Sequence, residues 1–359
     1  MGEDRSNPVG AARDGRPVLT VAVPAYNVER YLARGLDSLS LPDLAGELEV
    51  VVVDDGSTDG TAALAQGYVD AHPRIFRLIS QANRGHGGAV NAGMAAARGR
   101  YFRIVDGDDW VDGEALAALI GRLRTCEADL VVDARREVDM GTGEERAFPI
   151  PEAPTAPHGE VVPFARVLEA PELIPSLTIH GLTARTDYLR AQGIHLLEHV
   201  FYEDFEYVVK ASAPAGSILF LDEEVYRYLV GNASQSVSRA SYVRRWDDHA
   251  RVVDEMLRYL AVRDAAAARG EAGALSPAAL AYVRWKVHLI IDTHYNIALL
   301  FDGDRRRGRR RAREFRAELR ERDADLWRRG EGRYRAALAL NLLGISYGAI
   351  ERLVAGRRR

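Results

Sequence analysis

The sequence predicts an α/β fold in which a mostly parallel sheet carries helices on both faces, followed by a helical C-terminal region. Continuous apolar runs alternate with stretches of helical periodicity, which is the pattern of strands joined by right-handed crossovers. The runs are mostly apolar and show no strict alternation, as expected for parallel strands that are buried on both faces. The predicted strands of this series are residues 18–23, 49–53, 76–79, 101–105 and 129–133.

The remaining pattern is less regular. Residues 134–163 lose periodicity and contain five prolines, which predicts a loop or a lid. Two runs, 218–221 and 225–229, predict strands of a smaller antiparallel section. The pattern is helical from residue 242 onward, with a Gly- and Ala-rich break at 269–276. Within the α/β part, helices are predicted at 28–39, 62–71, 89–97 and 114–124.

Composition limits the function classes. The single cysteine, Cys126, excludes an intramolecular disulfide framework and a cysteine-based zinc site, and it suits a reducing compartment. The formal net charge is −4, yet residues 301–359 hold 18 arginines against nine acidic residues. Such asymmetry indicates a basic tail that contacts something anionic.

We therefore expect three parts. Residues 1–16 are polar and rich in Gly and Pro, so we expect a disordered tail that is neither a signal peptide nor an anchor. Residues 17–240 form the predicted α/β domain, with a first half at 17–115 and a second half at 116–240. Residues 241–359 form a helical region with a basic tail.

The stretch Val105–Trp110 carries three carboxylates, those of Asp106, Asp108 and Asp109, directly after a predicted strand. Ligands of open α/β sheets bind in the crevice beyond the carboxyl ends of the strands. Clustered carboxylates there suit Mg²⁺ or Mn²⁺, which leaves coordination positions open for phosphates. The alternative is a solvent-exposed Asp/Gly turn.

Two more strands end in polar turns at the same edge of the sheet. The first is followed by Pro24-Ala25-Tyr26-Asn27, and the second by a stretch rich in Asp, Gly, Ser and Thr at 54–61. Three successive strands thus bring polar turns to one crevice, which predicts a ligand site there.

Four motifs in order resemble the family 2 glycosyltransferases, inverting enzymes that use nucleotide-sugars and have the Rossmann-like GT-A fold. They are Val-Pro-Ala-Tyr-Asn, Val-Asp-Asp-Gly-Ser-Thr-Asp-Gly-Thr, Asn-Arg-Gly-His-Gly-Gly-Ala-Val-Asn-Ala-Gly and Val-Asp-Gly-Asp-Asp-Trp, at 23–27, 53–61, 83–93 and 105–110. The resemblance covers about residues 17–115, weakens over 116–200, returns at 201–238 and is lost beyond.

The resemblance assigns the nucleotide site to the first two motifs. It implies that Asp55 accepts a hydrogen bond from the uracil imide, whereas a turn or helix cap is the structural alternative. Pro24, Ala25 and Tyr26 would then lie along the base, although Tyr26 alone is also compatible with simple packing.

The Gly-rich motif is expected to contact phosphates, because free backbone amides at a helix start bind anions. Asn83 and Arg84 belong to this prediction. The family has an arginine where this chain has Val90, so the positive charge is expected from Arg84. For His86, a loop histidine without chemistry is an equally open interpretation.

Asp106-Gly107-Asp108 matches the Asp-x-Asp motif, which in the family bridges a metal ion and the diphosphate. The resemblance implies that Asp108 ligates Mn²⁺ or Mg²⁺, while Asp106, Gly107 and Asp109 contact the ribose or support the ligand. A cation there would neutralise the leaving diphosphate.

The second part of the resemblance supplies the base. Asp204, in Phe-Tyr-Glu-Asp-Phe-Glu at 201–206, matches the family's catalytic carboxylate, with Glu203 as the fallback. The alternative is an acidic first helical turn that complements the helix dipole. Arg227 is expected to clamp the diphosphate together with a loop at 235–238, or else to form a surface ion pair. His180 either lines the acceptor site or is structural.

These assignments predict an inverting, metal-dependent glycosyltransferase that moves sugar from a UDP-sugar to a hydroxyl of a glycan, polyol-phosphate or lipid-linked acceptor. The competing hypothesis is a catalytically inactive nucleotide-sugar-binding or scaffold protein of a glycan-assembly complex. A pyrophosphorylase is less favoured, because residues 24–27 lack a Gly-rich loop with a Lys or Arg.

The C-terminal region leaves two interpretations open. The segment 336–354 is either a helix docked on the body of the protein or an amphipathic helix on anionic lipid. The arginine run at 305–313 lacks interleaved aromatic residues, which argues against nucleic-acid binding. We expect a cytoplasmic protein, peripheral at the inner face of the membrane under the second interpretation.

Overall fold

The computed structural model describes residues 15–231, 238–345, 347 and 348. The described residues divide into two compact units. One contains 15–199 and 203–231, and the other contains 200–202 and the described residues from 238 onward. Most of the predicted N-terminal tail, the loop at 235–237 and the C-terminal Arg357–Arg359 lie outside the described residues.

The first unit is built on one mixed sheet. Its strand order is β3-β2-β1-β4-β9-β6-β10-β5, with β7 added beside β6 and β8 beside β10. The strands are β1 (Leu19–Ala25), β2 (Leu48–Asp54), β3 (Phe76–Ser80), β4 (Tyr101–Ile104), β5 (Trp110–Val111), β6 (Leu130–Asp139), β7 (Glu145–Phe148), β8 (Val161–Pro163), β9 (Leu182–Arg185) and β10 (Ser217–Val230).

The predicted parallel strands are confirmed. β1 pairs in parallel with both β2 and β4, and β2 pairs in parallel with β3. All residues of β1 and β2 are buried, most of them apolar, and the buried Glu49 accepts a hydrogen bond from the Thr20 hydroxyl at 2.6 Å. The register sets Ala25 opposite Asp54 and Ala22 opposite Ile104. The polar turns that follow these strands therefore begin at one edge of the sheet.

The prediction of a loop or lid at 134–163 is wrong for the three parts of this stretch that form strands. β6 continues to Asp139 and pairs with β7, and β8 pairs with β10. Residues 135–137 of β6 are partly exposed, two of them arginines, so this part of the strand lacks the apolar run by which its beginning was recognised. Strands form here because their backbone groups pair across the sheet, whatever their side chains.

The runs at 218–221 and 225–229 are also not separate antiparallel strands. They form one strand, β10, which pairs in parallel with β6 and in antiparallel fashion with β5 and β8. The register against β6 shifts between Phe220 and Glu224, where three acidic residues interrupt the apolar pattern. Such an irregularity bends the strand without ending it, and sequence reasoning mistook it for a turn.

Helices cover the sheet. The helices of the first unit are α1 (Glu29–Leu39), α2 (Thr61–Ala71), α3 (Gly85–Ala96), α4 (Gly113–Leu123), α5 (Phe164–Leu168), α6 (Thr186–Ala191) and α7 (Glu203–Ser212), with 3₁₀ turns at Pro42–Leu44 and Pro171–Ser176. Helix α3 begins four residues before its predicted start, because the Asp55 carboxylate accepts hydrogen bonds from the amides of Arg84 and Gly85.

The second unit is helical, as predicted. It contains α8 (Arg239–Arg244), α9 (Trp246–Ala268), α10 (Pro277–Asn296), a π-helical turn (Ile297–Phe301), α11 (Arg305–Arg322) and α12 (Ala324–Leu342). The predicted break is confirmed, since α9 ends at Ala268 and the Ser276 hydroxyl caps α10. Across the parts of the chain that the structure describes, no helix is both long enough and apolar enough to span a bilayer.

Two helical glycines give a matched test of the packing. A Cβ at Gly93 of α3 would lie 2.7 Å from the Ala22 Cβ of β1, whereas a Cβ at Gly67 of α2 would meet nothing within 4 Å. We expect Gly93→Ala to lower the free energy of unfolding by about 1–3 kcal/mol through overpacking. Gly67→Ala should raise it by up to about 1 kcal/mol, because alanine favours the helix. Urea denaturation measures both, and equal shifts of one sign would contradict the packing.

Candidate active site

The four sequence motifs meet at the carboxyl edge of the parallel strands. A Cβ at Gly107 would lie 2.9 Å from the Pro24 carbonyl oxygen, so the acidic turn touches the end of β1. The Asn27 side chain accepts a hydrogen bond from the Thr58 amide at 2.8 Å. Gly56, with φ +75°, brings the second turn against the backbone of Asn83. The crevice predicted from strand order is therefore present.

Asp55 joins the second motif to the third. One of its oxygens accepts hydrogen bonds from the Arg84 amide at 2.9 Å and the Gln81 side chain at 2.7 Å, and the other accepts from the Gly85 amide at 2.8 Å. The side chain is buried. Asp55 thus caps α3 here, which was the structural alternative, and its uracil contact stays a prediction. Tyr26 is 48% exposed beside it and is free to cover a base.

The Gly-rich motif holds the segment that precedes α7. The Arg84 guanidinium pairs with Glu198 at 2.6 Å, and the Arg84 carbonyl accepts from the His199 amide at 2.8 Å. The Asn91 side chain exchanges two hydrogen bonds with the backbone of Leu196, at 2.9 and 3.0 Å. The amides and the arginine that sequence reasoning assigned to phosphate are thus engaged within the protein.

His86 lies between two carboxylates. Its Nδ1 is 2.6 Å from Glu203 Oε1, and its Nε2 is 2.9 Å from Asp106 Oδ1. Burial lowers the pKa of His86, but the two neighbouring carboxylates, Asp106 above all, outweigh burial and hold it well above its usual value. The acidic turn and the start of α7 therefore share one positively charged ring.

The three carboxylates of the acidic turn have different environments. Burial raises the pKa of Asp106, but His86 more than compensates, so this pKa is lowered. Burial and the neighbouring Asp106 raise the pKa of Asp108 to about 6. The pKa of Asp109 is raised well above its ordinary value by burial and by both other carboxylates. The turn is thus short of positive charge at Asp108 and Asp109.

Asp109 has a structural role. One of its oxygens accepts a hydrogen bond from the Tyr226 hydroxyl at 2.6 Å, and the other accepts from the Leu229 amide at 2.7 Å. The Tyr226 hydroxyl in turn accepts from the Asp106 amide at 3.2 Å. Asp109 and Tyr226 therefore tie the acidic turn to β10, and a ribose contact by Asp109 would compete with these bonds.

The turn has the oxygen donors that a hard divalent cation requires. No hydrogen bond from another described residue reaches the Asp108 carboxylate, and its raised pKa is the signature of uncompensated negative charge. Ligand atoms of Asp106, Asp109 and His180 also lie within 4.8 Å of one another. That group does not include Asp108, so metal ligation by Asp108 stays a prediction.

Asp204 lies in the first turn of α7, next to Glu203. Its side chain reaches solvent, but protein atoms crowd its other side, and this desolvation together with Glu203 raises its pKa to about 6. The charges of His86 and Asp106 also act on it. Burial raises the pKa of Tyr228 above its ordinary value, and the negative charges of the acidic turn and of Asp204 raise it further.

Arg227 and His180 complete the surroundings. The Arg227 guanidinium pairs with Asp112 at 2.9 Å and donates to the Glu224 carbonyl, so in this structure it forms an ion pair instead of an open clamp. His180 stacks on Tyr228 with 4.5 Å between ring centroids, and burial lowers its pKa to about 4. A neutral imidazole thus lines the crevice near Asp106.

The contacts of His86 with two acids and of Tyr226 with Asp109 were not predicted from the sequence. The glycines on either side of His86 were a signal in the sequence, because they allow the backbone around the histidine to approach another segment closely. A Cβ at Gly87 would lie 2.2 Å from the Leu197 carbonyl oxygen, so the glycine is required for close approach. Tyr226 lies on an apolar strand whose sequence resembles that of any buried strand. Its contact with Asp109 depends on the order of the strands in the sheet.

The comparisons with known proteins find one family model and several relatives. Residues 20–162 match the model of glycosyl transferase family 2. EpsJ of Bacillus subtilis strain 168, an uncharacterized glycosyltransferase, is 29% identical over 65% of this chain and 66% of its own length. The succinoglycan biosynthesis protein ExoO of Rhizobium meliloti is 39% identical over 38% of each chain. The similarity to glycosyl transferase family 2 therefore concerns residues 20–162.

Solved structures support the family's fold. A crystal structure of residues 1–349 of TarS from S. aureus, in complex with UDP-GlcNAc, covers 92% of this chain and 93% of that one, with a TM-score of 0.60 and 20% identity. Its complex with UDP gives a TM-score of 0.56. The expected GT-A fold is therefore confirmed.

The family 2 match has clear limits along the chain. It includes the four N-terminal motifs but ends before Asp204 and Arg227. This chain also spans only 66% of EpsJ and 38% of ExoO, just under two thirds and well under half of their lengths. The family match therefore assigns no role to residues beyond 162.

The Tyr226–Asp109 contact can be tested by stability. We expect Tyr226→Phe to lower the free energy of unfolding by about 1–3 kcal/mol, because it leaves a buried carboxylate without its hydroxyl donor. Tyr228→Phe removes the same atom from a less buried ring on the same strand and serves as the control. Urea unfolding that shows equal losses for both variants would contradict the assignment.

Proposed function

We propose that this protein is an inverting, metal-dependent glycosyltransferase that moves a sugar from a UDP-sugar to a hydroxyl of a glycan or cell-surface polymer. The observation that carries the proposal is the position of His86, which contacts Asp106 at 2.9 Å and Glu203 at 2.6 Å and so brings the turn that holds Asp108 close to the helix turn that holds Asp204. One acid belongs to the donor motif and the other is poised to receive a proton. We propose residues 17–240 as the catalytic domain.

The proposed reaction needs one general base. An acceptor hydroxyl would lie beside Asp204, whose carboxylate takes the proton as the hydroxyl oxygen attacks the anomeric carbon of the sugar. The bond from that carbon to the diphosphate oxygen breaks on the opposite face, and UDP leaves with the bonding pair. A single displacement inverts the configuration. A pKa of about 6 keeps Asp204 ionised at neutral pH while leaving it a better base than an ordinary Asp.

The chain's own residues would position the donor. Asp55, Pro24, Ala25 and Tyr26 would hold the uracil, and Asn83 lies next to the same turn. Asp106 and Asp108 would hold Mn²⁺ or Mg²⁺, which when bound supplies positive charge to the leaving diphosphate. Arg84 and Arg227 would contribute further charge only by giving up their present ion pairs.

Two comparisons support the choice of substrates. TarS has been solved with UDP-GlcNAc and with UDP, which favours a UDP-sugar donor. The relatives include ExoO, named for succinoglycan biosynthesis, and a chondroitin synthase of Escherichia coli, 37% identical over 30% of this chain. These names favour a glycan, polyol-phosphate or lipid-linked acceptor at the cytoplasmic face of the membrane.

The inactive-scaffold hypothesis is less well supported. A protein that only bound the nucleotide-sugar would have no need of a carboxylate with a raised pKa beside the metal motif, since such placements are typical of acid–base catalysis. Both Asp108 and Asp204 are present, and the negative charges of both raise the pKa of Tyr228.

Substitution of the base separates the two hypotheses. We expect Asp204→Asn to lower kcat by about 10²–10⁴-fold, because the amide cannot take the hydroxyl proton. UDP with Mn²⁺ should still raise the melting temperature of both forms, and more than GDP or dTDP does. Wild-type kcat/KM should fall as pH drops through about 6, where Asp204 becomes protonated. Equal turnover by both proteins would contradict the role of Asp204.

Membrane contact is a separate proposal for the helical unit. Arg306, Arg310 and Arg313 are exposed on α11, and Leu342 and Leu343, at the end of α12, are 66% and 75% exposed. We expect the protein to co-sediment with vesicles containing about 30% phosphatidylglycerol and less with neutral vesicles. Replacing the three arginines by alanine should reduce binding, whereas Arg258→Ala, which removes a paired arginine of α9, should not. Equal sedimentation of all forms would contradict this contact.

A further inference from the structure

We propose that His86 is a positioning residue of the transfer reaction. Its imidazole fixes the Asp106 side chain relative to the first turn of α7, and so sets the distance between the metal motif and Asp204. The inference rests on the proposed function, because it requires Asp204 to act as the base.

The two nitrogens of the His86 ring contact two different acids and so bridge them. Nδ1 and Nε2 point away from each other, and each lies within 3 Å of a carboxylate oxygen, of Glu203 and Asp106 respectively. A carboxylate oxygen only accepts hydrogen bonds, so both contacts form when both ring nitrogens donate. Charge-assisted bonds of this kind are stronger and more directional than neutral ones. The two acids are therefore held at a separation set by one rigid ring.

Glu203 depends on this ring. It is 3% exposed, and its Oε2 is buried without a hydrogen-bond partner among the described atoms, so His86 provides its charged contact. Without the imidazole, a buried carboxylate would stand unpaired beside Asp204, which costs free energy unless the carboxylate moves or takes up a proton. Either response would disturb the neighbouring base.

The backbone around the ring is fixed, so neighbouring atoms cannot close the gap that a smaller side chain would leave. Asp55 holds the amides of Arg84 and Gly85, just before His86. On its other side, a Cβ at Gly87 would lie 2.2 Å from the Leu197 carbonyl oxygen and 3.1 Å from Glu203 Cγ. The first turn of α3 is therefore already as close to α7 as a glycine permits.

The test compares His86→Ala and His86→Gln with wild type, and with His72→Ala at the end of α2 as the control. We expect His86→Ala to lower kcat by about 10²-fold, since a misplacement of about 1 Å costs that much. KM for the UDP-sugar should change by less than about threefold, because the uracil contacts are untouched. Glutamine can donate to only one carboxylate and should give an intermediate kcat, while His72→Ala should match wild type.

The pH profile distinguishes positioning from simple loss of fold. His86 contributes positive charge near Asp204, so the acidic limb of kcat/KM should move to higher pH in His86→Ala. A purely structural role would reduce the amount of active enzyme and leave the limb where it is. An unmoved limb, or a kcat equal to that of wild type, would overturn the inference.

A double substitution gives a readout that needs no substrate. If the bridge exists, Glu203→Gln and His86→Ala each break it, and the urea midpoint of the double variant should lie close to that of the singles. Additive shifts would overturn the bridge. A wild-type protein that transfers sugar from no UDP-sugar would overturn the proposed function and the role of His86 together, whereas an active wild type with an unaffected His86→Ala would overturn only this inference.

Discussion

The arrangement of the crevice depends on one imidazole placed between two carboxylates. His86 contacts Asp106 from the acidic turn after β4 and Glu203 at the start of α7, two acids that are far apart in sequence. Unpaired, these acids would repel each other in a partly buried site. The positive ring turns this repulsion into attraction. The donor motif and the proposed base are consequently parts of one charge network.

The glycines of the third motif make this network possible. In the family resemblance the Gly-rich stretch suggests a phosphate-binding helix start, but here Asp55 occupies the amides of Arg84 and Gly85. The same stretch anchors residues 196–199 through Arg84 and Asn91. The motif therefore holds residues 196–199, which precede the helix that carries the proposed base Asp204. Glycine is needed at 87 because any side chain would collide with that segment.

The carboxylates of the crevice divide between structure and chemistry according to their partners. Asp109 has both oxygens engaged by Tyr226 and Leu229, so it holds the turn on β10. Burial above all raises the pKa values of Asp108 and Asp204 to about 6, and we propose these two acids as the cation ligand and the base. Hydrogen bonding, more than residue type, distinguishes Asp109, whose oxygens both have donors, from the acids that we propose for the reaction.

The sequence by itself determined the parallel strands, the four motifs and their common edge, because apolar runs and polar turns are local patterns. It could not give β10 as one strand, since the acidic interruption near Glu224 resembles a turn and only pairing with β6 keeps it extended. Nor could it separate Asp109 from Asp108, or recognise His86 as a bridge. Those distinctions depend on partners such as Tyr226 and Glu203, which more than a hundred residues of chain separate from them. Only the tertiary structure brings such partners into contact, because contact across that separation is decided by strand order and packing.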